Sequence, residues 1–133
     1  MAKIFISYQD EDQKFRNDFA GLLGGNHSSE DIPVIDRKNF RGKNDEKGLR
    51  EYLNSKVNEC SALALLVGTN THNGGWIDHE IEVALSEKLK ILAVRIPETT
   101  GGLPSKLSNK NIKIIEWDGV KVQKEIERLF GRS

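Results

Sequence analysis

The chain reads as an α/β protein built on a parallel sheet, and three observations lead there. Apolar strand-like stretches alternate with segments of helical periodicity along all 133 residues. The run Ala62 to Val67 is apolar without a break. Directly after it, Ile77, Ile81, Ala84 and Leu85 fall at i, i+4, i+7 and i+8, the spacing that lays one helix face on a core.

Lys3 to Tyr8, rich in Ile and Phe, predicts a buried first strand. Asp10 followed by Gln13 has capping-box spacing, and Phe15, Phe19, Leu22 and Leu23 continue a helix that Gly24-Gly25 stops. Ile32 to Ile35 predicts a short second strand, which Pro33 confines to an edge or an early strand position. A polar loop, Asp36 to Asn44, follows. Asp45 caps a second predicted helix whose face holds Leu49, Leu53, Val57 and Cys60. Ala62 to Val67 is the third strand, and Gly68 to Asn73 the loop before the third helix. Lys90 to Ile96 is the fourth strand. Pro97 to Asn109 is a loop broken by Gly101, Gly102 and Pro104, placed to cover a site. Ile112 to Glu116 is the fifth strand, and Val120 to Phe130 the last helix, with Val122, Ile126, Leu129 and Phe130 inward.

Strict alternation forces parallel pairing through right-handed crossovers, with helices on both faces of the sheet. The expected architecture is a flavodoxin-like, three-layer fold with a five-stranded parallel sheet in the order 2-1-3-4-5. Residues 1–133 form one domain on this reading. Ligands of such sheets bind beyond the carboxyl ends of the strands, at the switch point between strands one and three. The loops there are Ser7 to Asp10 and Gly68 to Trp76.

Composition narrows the function. Twenty basic and twenty acidic residues cancel, leaving no general field for nucleic acid or an anionic membrane. Cys60 is the single cysteine, so neither an internal disulfide nor a cysteine zinc site is available. Three scattered histidines make no metal site. The start, Met1 to Ile6, is too short in apolar residues for a signal peptide, and no stretch approaches the roughly 20 apolar residues of a membrane span. A cytoplasmic protein is expected.

The third helix carries the candidate chemistry. Trp76, Glu80, Val83 and Glu87 fall on the flank beside the core-facing stripe, so an indole and a carboxylate stand one turn apart next to the core. Glu82 is on the solvated side, and His79 and His27 are expected to face solvent. Arg37, Lys38, Arg41 and Lys43 form a basic loop flanked by Asp36, Asp45 and Glu46.

Phe5-Ile6-Ser7-Tyr8, Leu66-Val67-Gly68 with Thr71-His72, and Trp76-x-x-x-Glu80-Ile81, in this order and on these elements, together resemble a bacterial TIR-like domain. More narrowly the chain is similar to the TIR-like subunits of the Thoeris antiphage system. The loop Arg37 to Gly42 lacks the proline-glycine pattern of animal TIR signalling domains. The resemblance implies an enzyme that cleaves NAD, as substrate and not as cofactor, between nicotinamide and ribose, with Glu80 essential. It implies a cyclic ADP-ribose isomer as the diffusible signal to an effector. A phage-derived activator and self-association are the other partners this reading admits.

The residues fit that chemistry. Nicotinamide leaves NAD neutral and needs no general acid, unlike ordinary glycoside hydrolysis with its two carboxylates. An ionised Glu80 suffices to stabilise positive charge on the ribose. Its place early in a helix favours the anion. Trp76 or Tyr8 is available to stack on a flat ring, and Ser7, Gly68 and His72 lie in the loops that meet substrate. Each has a plainer role too: Trp76 as a hydrophobic plug, Ser7 and Tyr8 as loop caps, His72 as a loop-ordering hydrogen bonder. Three other readings compete. A receiver domain needs an aspartate after strand three, where Gly68-Thr69 stand. A non-enzymatic nucleotide-binding or assembly module and a nucleoside deoxyribosyltransferase remain as alternatives.

Overall fold

The computed structural model describes residues 4–24, 34–35, 46–71, 75–107, 110 and 112–129. Strand β1 (Ile4–Ser7) leads through a 3₁₀ turn, Asp10–Asp12, into α1 (Gln13–Gly24); β2 is Val34–Ile35 and α2 is Glu46–Glu59. Then come β3 (Ala62–Val67), α3 (Gly75–Ser86) and β4 (Lys90–Arg95). After a 3₁₀ turn at Ser105–Leu107, β5 (Ile114–Ile115) and α4 (Gly119–Leu129) complete the described chain. The sheet order is β2-β1-β3-β4-β5 and every pairing is parallel.

Alternation along the strands sorts the core into two layers. Ile4 and Ile6 of β1, Ala62, Ala64 and Leu66 of β3, and Leu92 and Val94 of β4 pack with Phe19 of α1 and with Val122 and Ile126 of α4. Phe5, Leu63, Leu65, Val67, Ile91 and Ala93 face the other way. They meet Leu53 and Val57 of α2 and Ile77, Ile81 and Ala84 of α3. The central strands are therefore apolar on both faces, which is why β3 reads as an unbroken apolar run. Trp117 closes one end, its ring 5.6 Å from Phe15 and 6.0 Å from Phe19.

Several boundaries differ from expectation. The fifth strand pairs only through Ile114 and Ile115, because the flanking Lys113 and Glu116 are exposed and the chain turns at once into α4. Asp118 caps that helix, its Oδ1 accepting from the Lys121 amide at 3.1 Å. Helix α1 begins at Gln13 after the 3₁₀ turn, so Asp12 and not Asp10 stands at its threshold. His79 is half-buried against α2 instead of facing solvent: its Nε2 lies 3.1 Å from Asn54 Oδ1. Pro33, Asp45, His27, Phe130 and the basic loop of Arg37, Lys38, Arg41 and Lys43 lie outside the described residues. Helix α3 ends with Lys88 at φ 60° while the Leu89 amide donates back to Ala84 O at 2.9 Å, a left-handed cap on a residue that carries a Cβ.

Candidate active site at the carboxyl ends of β1 and β3

Ser7 is the last residue of β1 and shares the face of Phe5, toward α3. Its hydroxyl donates to Glu80 Oε1 at 2.6 Å. Both side chains are 0% exposed, so the carboxylate lies deeper than a helix flank: it is sealed between α3 and the sheet. A buried carboxylate costs several kcal/mol unless partners satisfy it, and the Ser7 hydroxyl is one such partner.

The sequence groups Ser7 and Tyr8, but the pleat separates them. Tyr8 is buried in the layer beneath α1 and α4, on the opposite side from Glu80. Trp76 stays on the side of Glu80 and is half-buried, with the Arg50 guanidinium of α2 5.3 Å from its ring centre and the His79 ring 6.0 Å away, edge-on. Burial, then the Arg50 charge, hold His79 below its ordinary pKa, against a smaller opposite effect of Glu82. His72 lies outside the described residues.

The loop after β3 is closed by Thr71, which is fully buried. Its hydroxyl accepts from the Gly68 amide at 2.7 Å and donates to Leu66 O at 3.0 Å. The loop after β1 is tied to it: Gln9 Nε2 donates to Asn70 O at 2.9 Å, and Asn70 Nδ2 to the Glu11 carboxylate at 3.0 and 3.2 Å. The loop after β4 packs onto the end of β3. Thr99 Oγ1 donates to Ile96 O at 2.7 Å and to Val67 O at 3.2 Å, and Arg95 Nη1 donates to Gly101 O at 2.5 Å. Gly101 sits so close that a Cβ there would lie 2.1 Å from Gly68 O.

Asp12 is the residue at this mouth that the sequence reading missed. It is 7% exposed, and its Oδ2 has no hydrogen-bond partner among the described residues. Burial, then the neighbouring Glu11, raise its pKa, with Lys14 opposing. The capping-box reading of Asp10 and Gln13 starts the helix earlier and places Asp12 in its first turn, which gives it no separate role. Cys60 is buried and bonds to Lys56 O at 3.2 Å. Among the described residues, no group of His, Cys, Asp or Glu is arranged to hold a metal ion, and no helix is long and apolar enough to cross a membrane.

Comparison with known proteins agrees with this fold. The family model described as Thoeris protein ThsB, TIR-like domain, matches residues 5–101, a span that holds Ser7, Asp12, Gly68, Trp76, Glu80 and Gly101. A comparison with curated protein sequences returns no match. Among solved structures, the TIR domain of the Toll-related receptor TRR-2 from Hydra magnipapillata superposes with TM-score 0.62 at 13% identity, covering 98% of this chain and 93% of that one. A 2-desoxiribosyltransferase from Leishmania mexicana gives TM-score 0.69 at 11% identity, covering 96% and 98%. The RPS4 and RRS1 TIR domain heterodimer gives 0.55 at 15%, covering 96% and 94%. At these identities the likeness is one of fold.

Proposed function

The chain belongs to the family of Thoeris ThsB TIR-like domains, and from that premise we propose that it cleaves NAD at the nicotinamide–ribose bond, with Glu80 as the catalytic carboxylate. The observation that carries this reading is the buried hydrogen bond from Ser7 to Glu80, at the carboxyl end of β1 where it borders β3. A fold of this class binds ligands there. A carboxylate held in an apolar layer acts more strongly on developing charge than one in water.

In the proposed reaction the bond between the ribose carbon and the ring nitrogen breaks, and its electron pair leaves with nicotinamide. Positive charge then spreads over the ribose carbon and ring oxygen, where Glu80 stabilises it. Attack by a hydroxyl or an adenine nitrogen of the same molecule closes a cyclic ADP-ribose isomer, and one proton passes to solvent, from the hydroxyl or from the adenine amino group. That molecule is the diffusible signal for an effector in antiphage defence. Ser7 orients the carboxylate, while the Gly68 amide is taken up by Thr71 and is not offered to a phosphate. Trp76 stands one turn away with one flank covered by Arg50. A phage-derived activator or self-association switches the activity on, the latter in the manner of the paired RPS4 and RRS1 TIR domains.

The complete burial of Glu80 favours a second reading, a nucleotide-binding or assembly module without turnover. One experiment separates the two. Wild type and Glu80→Gln are incubated with NAD, alone and with lysate from phage-infected cells, and products are read by liquid chromatography and mass spectrometry. Nicotinamide release by wild type only, beside a product with the mass of cyclic ADP-ribose, supports the enzyme; NAD left intact in every sample supports the module. Deoxynucleosides in a parallel arm test the transferase alternative.

A further inference from the structure

Asp12 has no part in the chemistry described above, yet its setting is that of a ligand contact. It is a buried carboxylate whose Oδ2 lacks a partner among the described residues, and burial outweighs its charged neighbours in raising its pKa. An unsatisfied buried acceptor is destabilising and needs an explanation.

Its position is set by Gly68. A Cβ on residue 68 would lie 2.5 Å from Asp12 Oδ2 and 3.0 Å from its Cγ, so the carboxyl fills the space that any larger residue would need. The register pairs Ser7 with Leu65, and Gly68 lies three residues farther on. At about 3.3 Å per residue, Asp12 is therefore roughly 10 Å beyond Ser7 along the strand direction. It lies too far out to share the reacting ribose with Glu80. A diphosphate bridge spans such a separation. The lone oxygen also selects chemistry, because it accepts and does not donate when ionised. Phosphate oxygens bring no hydrogen and are repelled, whereas hydroxyl and amino groups fit.

We propose that Asp12 is a substrate contact, accepting a hydrogen bond through its free oxygen from a hydroxyl or amino group in the adenosine half of the dinucleotide. This rests on the NAD reading for the identity of the ligand. Entry of that group parts the ties from Asn70 to Gln9 and Glu11, which are solvent-exposed or partly so.

The test uses Asp12→Asn and Asp12→Ser, both small polar residues that suit the start of a helix. Asparagine keeps the shape of the side chain, and serine removes the second oxygen altogether. ADP-ribose is titrated calorimetrically into wild type, both variants and Glu80→Gln, with thermal melts alongside. The proposal expects ADP-ribose affinity to fall roughly 10- to 100-fold in both Asp12 variants, with Asp12→Asn melting as wild type does. It expects KM for NAD to rise by a similar factor at constant kcat, while cleavage of nicotinamide mononucleotide, which lacks the adenosine half, is unchanged. Wild-type affinity for ADP-ribose in both variants, equal loss on the mononucleotide, or no ADP-ribose binding by wild type overturns it. If ADP-ribose binds but NAD stays intact with every activator, the cleavage reading fails and the calorimetry still decides Asp12.

Discussion

Replacing Gly101 by alanine is expected to destabilise the protein by about 3–5 kcal/mol, although the change adds a single methyl group. The new Cβ would stand 2.1 Å from Gly68 O, 2.7 Å from Thr69 O and 3.0 Å from Thr69 C. All three are backbone atoms, so no side chain can rotate away. Relief requires the loop after β4 or the end of β3 to move by about 1 Å, and overpacking of this kind typically costs about 1–3 kcal/mol. Such a shift also stretches the Arg95 bond to Gly101 O and the Thr99 bond to Val67 O. Hydrogen bonds like these contribute about 1 kcal/mol each, more with a charged donor. Against a total stability of about 5–15 kcal/mol the loss is large. The neighbouring glycine is an internal control, since a Cβ on Gly102 meets nothing within 4 Å. Gly102→Ala is expected to be neutral, or to stabilise by about 0.4–1 kcal/mol by restricting the unfolded chain. Urea denaturation of the two variants, compared at equal m-values, provides the measurement. Midpoints that place Gly101→Ala within about 0.5 kcal/mol of Gly102→Ala would refute the reasoning, because the loop would then not be locked onto β3.

Ser7→Ala removes the donor to Glu80 in a fully buried setting and is expected to cost about 1–3 kcal/mol; the double variant with Glu80→Gln should lose clearly less than the sum of the two single changes, and simple additivity in denaturant midpoints would show the contact to be inert. His79 has its folded pKa held below 6.5, so the folded state binds the proton less readily than the unfolded chain, and stability falls as pH drops through that value toward the lower folded one. Melting temperatures taken from about pH 8 to about pH 5 should therefore fall more steeply for wild type than for His79→Gln, and parallel curves would contradict this. Lys88 adopts a left-handed conformation that costs an L-residue about 1–2 kcal/mol, so Lys88→Gly should raise stability by about 0.5–1 kcal/mol after its own entropic cost; a lower melting temperature would refute it.

The frame was legible because its physics is local. Ala62 to Val67 is apolar on both faces only in the middle of a covered sheet, and the stripe Ile77, Ile81, Ala84 commits α3 to one side of it. Glu80 was legible as the residue to explain, yet its depth was not. Helical periodicity gives an angle around the axis, whereas the Ser7 hydroxyl waiting on β1 is a fact of tertiary register. Alternation did hold the information that Ser7 and Tyr8 point to opposite faces, which grouping them by loop position passes over. Asp12 and Gly101 were not legible as site-forming residues. Each matters through a close approach to the backbone of Gly68, a contact between segments far apart in the chain.

On the proposed function, a cell that stores this protein between infections keeps it beside its own dinucleotide pool. With Glu80 wholly enclosed, idle turnover on the proposed function belongs to the fraction of molecules whose cover has lifted, and the apparent affinity for substrate is scaled down by that same fraction. If the open form is on the order of 1% of the population, a cue that favours it 100-fold makes it about half of all molecules. Restraint and alarm are then one equilibrium read at two settings, with no inhibitor to remove.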